Sequence, residues 1–314
     1  MTVDEWSAQS RYSDPGPYAA LFDALPTDVR ALGAVVRNLL VHYRAGGAEL
    51  SAERLTEIDL RWVDRILAVD QERSGGAPLA RPRAVGERVA CCCRDFTLLT
   101  VAALRHRGVP ARSRIGFAGY FVQGFHTDHV VVEYWDGAAW VLMDAQLDPA
   151  QDRGFDPAAM PRDDPAVFWT AARAWTAVRR GEADPESFGV DPALPIRGAW
   201  LVRDYVLQEL AHRRRDELLL WDGWGAMTGG PGAAGPDDLV DGVAALLLAA
   251  DAGDPGAERE LAVRHRDDPR LRPDGAVLSF SPTGRRAWVD LDARRETDPP
   301  AGRPVTAATA HPWA

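Results

Sequence analysis

The chain has 314 residues, 46% of them apolar, enough for one large domain or two modest ones around a sizeable core. A formal charge of −10 and a pI near 5.2 exclude a nucleic-acid backbone or an anionic lipid surface as the main partner. No run approaches the roughly 18 consecutive apolar residues of a membrane span, and Asp4 and Glu5 near the start are unlike a signal peptide, so a cytoplasmic protein is the expectation.

Residues 1–16 read as irregular. Thr27 then stands before Val29, Leu32, Val36, Leu39 and Leu40, a helical spacing with Thr27 as its N-cap. A second helix is predicted over 52–68, and a Gly- and Pro-bearing loop over 74–86 leads into "RVACCCRDFTLL". From Cys93 to Arg107 the chain is apolar nearly all round and stops at Gly108, with Pro110 just beyond, the pattern of a buried helix. After Pro110 the period changes to two: Ile115, Phe117 and Phe121 fall on one face of a strand, Arg112, Arg114 and Tyr120 on the other. "HVVVEYW" and "AWVLMDAQ" read as two further strands joined at Asp136-Gly137. Helices are predicted over 165–180, 199–213 and 237–250, with a joint at 231–236 and a loose Pro- and Ala-rich tail from Pro299.

Cys91, Cys92 and Cys93 are the only cysteines. Adjacent residues seldom meet disulfide geometry and no distant partner exists, so reduced thiols are expected. Zinc is disfavoured, because consecutive side chains project in different directions and no Cys-x-x-Cys spacing occurs. Cys91 and Cys92 suit small core positions. A thiol in the first turn of the following helix faces the positive end of the helix dipole, which favours thiolate.

If Asp136 and Gly137 make a two-residue turn, His129 lies directly opposite Asp144, close enough for a carboxylate to accept from an imidazole. A four-residue "DGAA" loop leaves the two diagonal on one face; a three-residue loop separates them. A histidine on a strand also serves packing, and Asp144 could be a polar strand end.

Taken together, "CRDFTLLTVAALRHRGVPAR", "SRIGF" and "HVVVEYWDGAAWVLMD" resemble the transglutaminase-like superfamily of papain-like thiol enzymes. In that pattern a Cys opens a helix ending in Gly-Ile/Val-Pro-Ala-Arg, a His begins one strand and an Asp closes the next. The resemblance runs from Cys93 to Gln146 and implies Cys93 as nucleophile, His129 as base and Asp144 as the residue that orients the base. Two positions depart from it: Asp144-Ala145-Gln146 replaces the common Asp-Pro-Thr, and Val131 stands where a tryptophan is frequent. The Cys93 N–H is the natural oxyanion donor, with no second donor assigned. His126 reads as a loop residue, Trp221 and Trp224 as core packing, and the arginines 213–215 as a solvated face.

The fold expected is α+β, a papain-like core in which the nucleophile helix packs on an antiparallel sheet, with extra helices at both ends. The chain divides into an N-terminal helical region (1–75), the core (76–160), a helical extension (161–230) and a C-terminal helical region with its tail (231–314). The chemistry implied is acyl transfer on an amide, peptide or thioester, as amidase, peptidase or transamidase, with no cofactor, calcium or other metal. A non-catalytic binding module and an acyltransferase using a carrier-bound thioester are the alternatives.

Overall fold

In the computed structural model, which describes residues 3–298 apart from 46, 48, 228, 229 and 231–233, the chain opens with a 3-10 segment, Val3–Ser7, inside the stretch expected to be irregular, and a second, Gly16–Phe22, follows at its end. Helix α1 (Val29–Leu39) buries Leu32, Val36 and Leu39 as its periodicity requires, but its N-cap is Asp28, not Thr27; the Asp28 carboxylate accepts the Ala31 N–H at 2.9 Å. The chain passes directly into strand β1 (Leu40–His42).

The single helix expected over 52–68 is divided. Helix α2 (Ala52–Leu55) is one turn, a 3-10 turn follows, and α3 (Val63–Ser74) starts only after Leu60 and Trp62 take extended backbone. The break places the buried guanidinium of Arg61 against Asp222, which it contacts at 2.6 and 3.0 Å. Strand β2 (Val89–Cys91) pairs parallel with β1, setting His42 opposite Cys91. Helix α4 (Cys93–His106) begins two residues later and is buried along nearly its whole length. It ends where Gly108 takes φ +72°, a left-handed conformation that costs glycine least.

Strands β3 (Ala111–Val122), β4 (Phe125–Trp135) and β5 (Trp140–Met143) form an antiparallel meander on which α4 packs. Trp135 pairs with Trp140, so the loop has the four residues 136–139 and the two-residue turn is corrected. Asp136 favours the longer loop by accepting the N–H groups of Ala138 and Ala139, each at 2.8 Å. The helix expected over 165–180 begins late, because β6 (Phe168–Thr170) first pairs with the free side of β3 and only then continues as α5 (Ala171–Arg179). Strand β7 (Phe188–Gly189) adds to β4 in parallel.

Helix α6 (Ala199–Arg213) is buried on all sides, between β3 and the helices α5 and α7. Beyond β8 (Asp222–Gly223) come α7 (Asp237–Asp251) and α8 (Pro255–Asp267), then β9 (Ala276–Phe280), β10 (Arg286–Asp290) and β11 (Arg295–Thr297), which form a second antiparallel sheet with β8. The helical reading of the C-terminal region is therefore corrected over 276–297. There Val277, Leu278, Trp288 and Val289 are buried, and the three strands pair with their neighbours in the chain as successive hairpins, with β8 added at the edge of β9. The joint expected at 231–236 lies partly, and the tail from Pro299 wholly, outside the described residues.

Arg112 and Arg114 do not face solvent. They and Arg213 are buried with Glu133 and Glu209, beside the half-buried Asp251, between the sheet and the C-terminal helices; Arg114 meets Glu133 at 3.0 Å and Glu209 at 2.9 Å, and Arg213 meets Asp251 and Glu258 at 2.7 Å. The solvated face expected at 213–215 is thus corrected at Arg213, whose charge is neutralised by acids from α7 and α8.

Candidate active site

The first turn of α4 sits where β2 ends, and β2 lies beside β1. That arrangement brings Cys93 and His42 to one place from positions far apart in the chain. Asp95, third in the helix, accepts the Cys92 N–H at 3.0 Å and is itself held by Arg94 at 2.8 Å, so the helix start is tied down by a reciprocal cap. The three cysteines then differ in environment. Cys91 and Cys92 are 1% and 3% exposed, and burial pushes both thiols well above the ordinary range. Cys93, at 6%, opens onto a cavity of about 250 Å³. Its thiol is drawn well below the ordinary range by the hydrogen bond from the Cys92 thiol; burial opposes this, and hydrogen bonds from His129 and His42 add to the lowering.

His129 lies on β4 and Asp144 just beyond β5. The four-residue loop sets them diagonally on one face, with His129 Nε2 and Asp144 Oδ2 2.8 Å apart. Asp144 Oδ2 also accepts the Tyr120 hydroxyl at 2.6 Å, and Oδ1 accepts the Gln146 N–H at 2.9 Å. Burial raises the Asp144 carboxyl, yet the His129 charge and these bonds together hold it below the ordinary carboxylate range. Burial likewise disfavours a charged His129, but the Asp144 charge and hydrogen bond and the Cys93 sulfur outweigh it and raise the imidazole to about 10. With Nε2 engaged by Asp144, the nitrogen left to face Cys93 is Nδ1. The two shifts both favour a thiolate beside an imidazolium.

Several residues of this site are invisible in the sequence. Tyr120 and Phe121, neighbours in the chain, both pack against His129, with ring centroids at 6.1 and 5.0 Å. A register shift in β3 between Ala118 and Val122 makes this possible, since a regular strand would send one of the two to the opposite face. His42 Nδ1 accepts the backbone N–H groups of Arg44 and Ala45, each at 3.2 Å, which leaves the proton on Nε2, the nitrogen available to Cys93. Asp128 lines the cavity with one oxygen accepting the Tyr205 hydroxyl at 2.7 Å; burial and the Cys93 charge push it up to about 7.

Two readings of neighbouring residues change. His126 is not in a loop: it is part of β4, stacked on Phe188 at 4.7 Å and half-buried, and burial lowers its imidazole. Trp221 is not confined to core packing, for it and Leu220 form a wall of the cavity, and its Nε1 donates to Asp59 at 2.9 Å. Trp224 is buried in the core as expected. Among the described residues no group of three or more His, Cys, Asp or Glu side chains is arranged to hold a metal ion, and no helix is long and apolar enough to cross a membrane.

The sequence matches the family model of the transglutaminase-like superfamily over residues 52–145, from α2 to the residue after Asp144. Among solved structures it is similar to a candidate cysteine protease from Cytophaga hutchinsonii, at 21% identity and a TM-score of 0.30, over 53% of this chain and 50% of that one. No curated protein matches it. Over residues 52–145 the chain thus resembles the transglutaminase-like superfamily.

Proposed function

We propose that the protein is a thiol enzyme of acyl transfer in which Cys93 is the nucleophile, His129 the acid and base, and Asp144 the residue that holds the imidazole. The observation that carries this reading is geometric: Cys93, at the start of α4, and His129 line one cavity, and Asp144 holds the His129 ring at 2.8 Å. The lowered thiol and raised imidazole agree with it. A buried thiolate has no packing value, since a neutral thiol fills the same space without a charge to desolvate.

The Cys93 thiolate attacks the carbonyl carbon of an amide or thioester, forming a C–S bond and moving the carbonyl electron pair onto oxygen. That oxyanion is met by the Cys93 N–H, one of the amides left without a partner in the first helical turn, and by the Nε2–H of His42, whose tautomer is fixed by two backbone donors. His42 is thus the second donor that the sequence alone did not assign. As the tetrahedral adduct collapses, the leaving group departs with the proton from His129 Nδ1, and a thioester remains on Cys93. Neutral His129 then takes a proton from water or an amine as it attacks the thioester. Collapse releases acid or amide, and the Cys93 thiolate and the imidazolium are restored. Water makes the protein an amidase or peptidase, an amine a transamidase.

The test is turnover of a panel of amide and thioester donors by the wild type and by Cys93→Ala and His129→Ala, with folding followed by circular dichroism. Both variants are expected to lose turnover and keep the fold. Turnover that survives Cys93→Ala would refute the reading.

A further inference from the structure

Most arginines of this chain that meet others across the fold are answered by carboxylates. Three around one cleft are not. Arg37 on α1, Arg88 before β2 and Arg153 after β5 are half-buried in the walls of a cleft of about 560 Å³, and among the described residues none of them makes an ion pair within 4 Å. What they touch is neutral: Arg37 donates to the Ala145 carbonyl at 3.2 Å, Arg88 to the Arg83 carbonyl at 3.5 Å, and Arg153 to the Tyr120 carbonyl at 2.8 Å and to Gln151 Oε1 at 3.3 Å. The Nε of Arg153 is buried with no hydrogen-bond partner. One acid, Asp148, stands at the exposed rim, where its Oδ1 accepts the Ala150 N–H at 3.0 Å. The cleft therefore carries a surplus of two positive charges on a chain whose net charge is −10.

This cleft adjoins the cavity of Cys93. His42, Phe121 and Gln146 belong to the walls of both. Burial lowers the Arg37 guanidinium from its ordinary value, and the acids near it, Asp148 and Asp144, only partly offset that. Guanidinium groups suit carboxylate and phosphate because their N–H pairs match two oxygens at once.

We propose that Arg37, Arg88 and Arg153 form a subsite for an anionic group of the substrate, a carboxylate or a phosphate, joined to the reacting carbonyl by a chain that passes Phe121 and Gln146. The proposal rests on the acyl-transfer reading for its link to Cys93, but the subsite itself does not require turnover. Binding is therefore measured first on the Cys93→Ala protein, by titration calorimetry with glutarate and with inorganic phosphate as separate probes. One of them is expected to saturate with a Kd at or below about 1 mM at low ionic strength. Stronger binding of glutarate identifies a carboxylate, and stronger binding of phosphate a phosphoester. Raising the salt to about 0.5 M should weaken the binding several-fold in the same protein, a readout that needs no further variant. Arg37→Gln combined with Arg153→Gln should weaken it at least roughly tenfold, with Arg88→Gln as the substitution on a separate element should that pair fail to fold.

The second arm compares acylation of Cys93 in the wild type by p-nitrophenyl acetate and by the mono-p-nitrophenyl ester of glutarate. The anionic ester is expected to react at least roughly tenfold faster relative to the neutral one than in the Arg37→Gln, Arg153→Gln protein. Absence of saturable binding by either anion, or binding indifferent to both salt and arginine substitution, would overturn the subsite even if Cys93 is acylated. Binding that follows these expectations in a protein whose Cys93 takes up neither ester would leave the subsite standing and sink the acyl-transfer reading instead.

Discussion

At the sulfur of Cys93 two effects oppose each other. Burial favours the neutral thiol, while the Cys92 thiol, His129 and His42 donate to the anion, and the anion wins. The same contest runs the other way in Cys91 and Cys92, where burial prevails. Limiting iodoacetamide near pH 6 is therefore expected to label Cys93 before either neighbour, which peptide mapping would read directly; label spread evenly over the three would show that no thiolate is held. Activity should fall on the acid side as the Cys93 thiolate is protonated, and on the alkaline side as His129 loses its proton near pH 10. His129 also links pH to stability. Its value is raised in the folded chain, so its contribution is complete below about pH 6.5 and is lost as pH rises through about 10. Asp144→Asn keeps the shape of the orienting residue but not its charge, and should leave turnover above that of Cys93→Ala. Tyr120→Phe removes one of the bonds holding Asp144 and should cost no more than about tenfold in kcat/KM. Cys93 opens α4 and Asp144 follows the end of β5, places that the pattern of elements marks in the sequence, whereas His129 lies inside β4, which starts four residues earlier than its apolar run suggests. Tyr120 could not be named from sequence, since only the irregular register of β3 turns it toward Asp144.

The elements that carry these residues are held by close approaches. Gly116 pairs with His129 across β3 and β4, and on its other side the Trp169 carbonyl of β6 lies where a Cβ would stand. Gly116→Ala should push β6 outward and destabilise the fold by about 1–3 kcal/mol, with a lower Tm in a thermal melt; an unchanged Tm would mean that β6 gives way freely. The long helices are legible in the sequence almost to the residue, α1 by its one-sided apolar spacing and α4 and α6 by apolar runs too long for a strand. The four-residue loop 136–139 was one of three turns that the sequence allowed, and Asp136 selects it by accepting two backbone N–H groups. The split of the 52–68 segment was not legible, because its cause is the distant carboxylate of Asp222.

Across the whole molecule the C-terminal half completes the core. One hydrophobic cluster runs from Val41 and Cys93 through α5, α6 and α7 to Trp288. The buried charges joining sheet and helices are equally non-local: Arg112 and Arg114 alternate like solvent-facing residues, and only acids from β4, α6 and α7 reveal why they can be buried. Glu133 meets Arg112, Arg114 and Arg162, and although burial opposes its charge these arginines hold it at about 2. Its contribution is complete above the unfolded value of about 4.3 and is lost as pH falls toward 2. Glu133→Gln should destabilise the protein by about 3–5 kcal/mol and flatten the acid limb of its stability curve, as measured by denaturant unfolding from pH 7 to pH 3.

The account turns on whether Cys93 accepts an acyl group. Mass spectrometry after brief exposure to p-nitrophenyl acetate, with peptide mapping, tests this most directly. The thiolate–imidazolium pair predicts a single acetyl adduct on the peptide carrying Cys93, absent in Cys93→Ala and strongly reduced in His129→Ala. No adduct on that peptide, or an adduct shared with Cys91 and Cys92 and indifferent to His129, would contradict it.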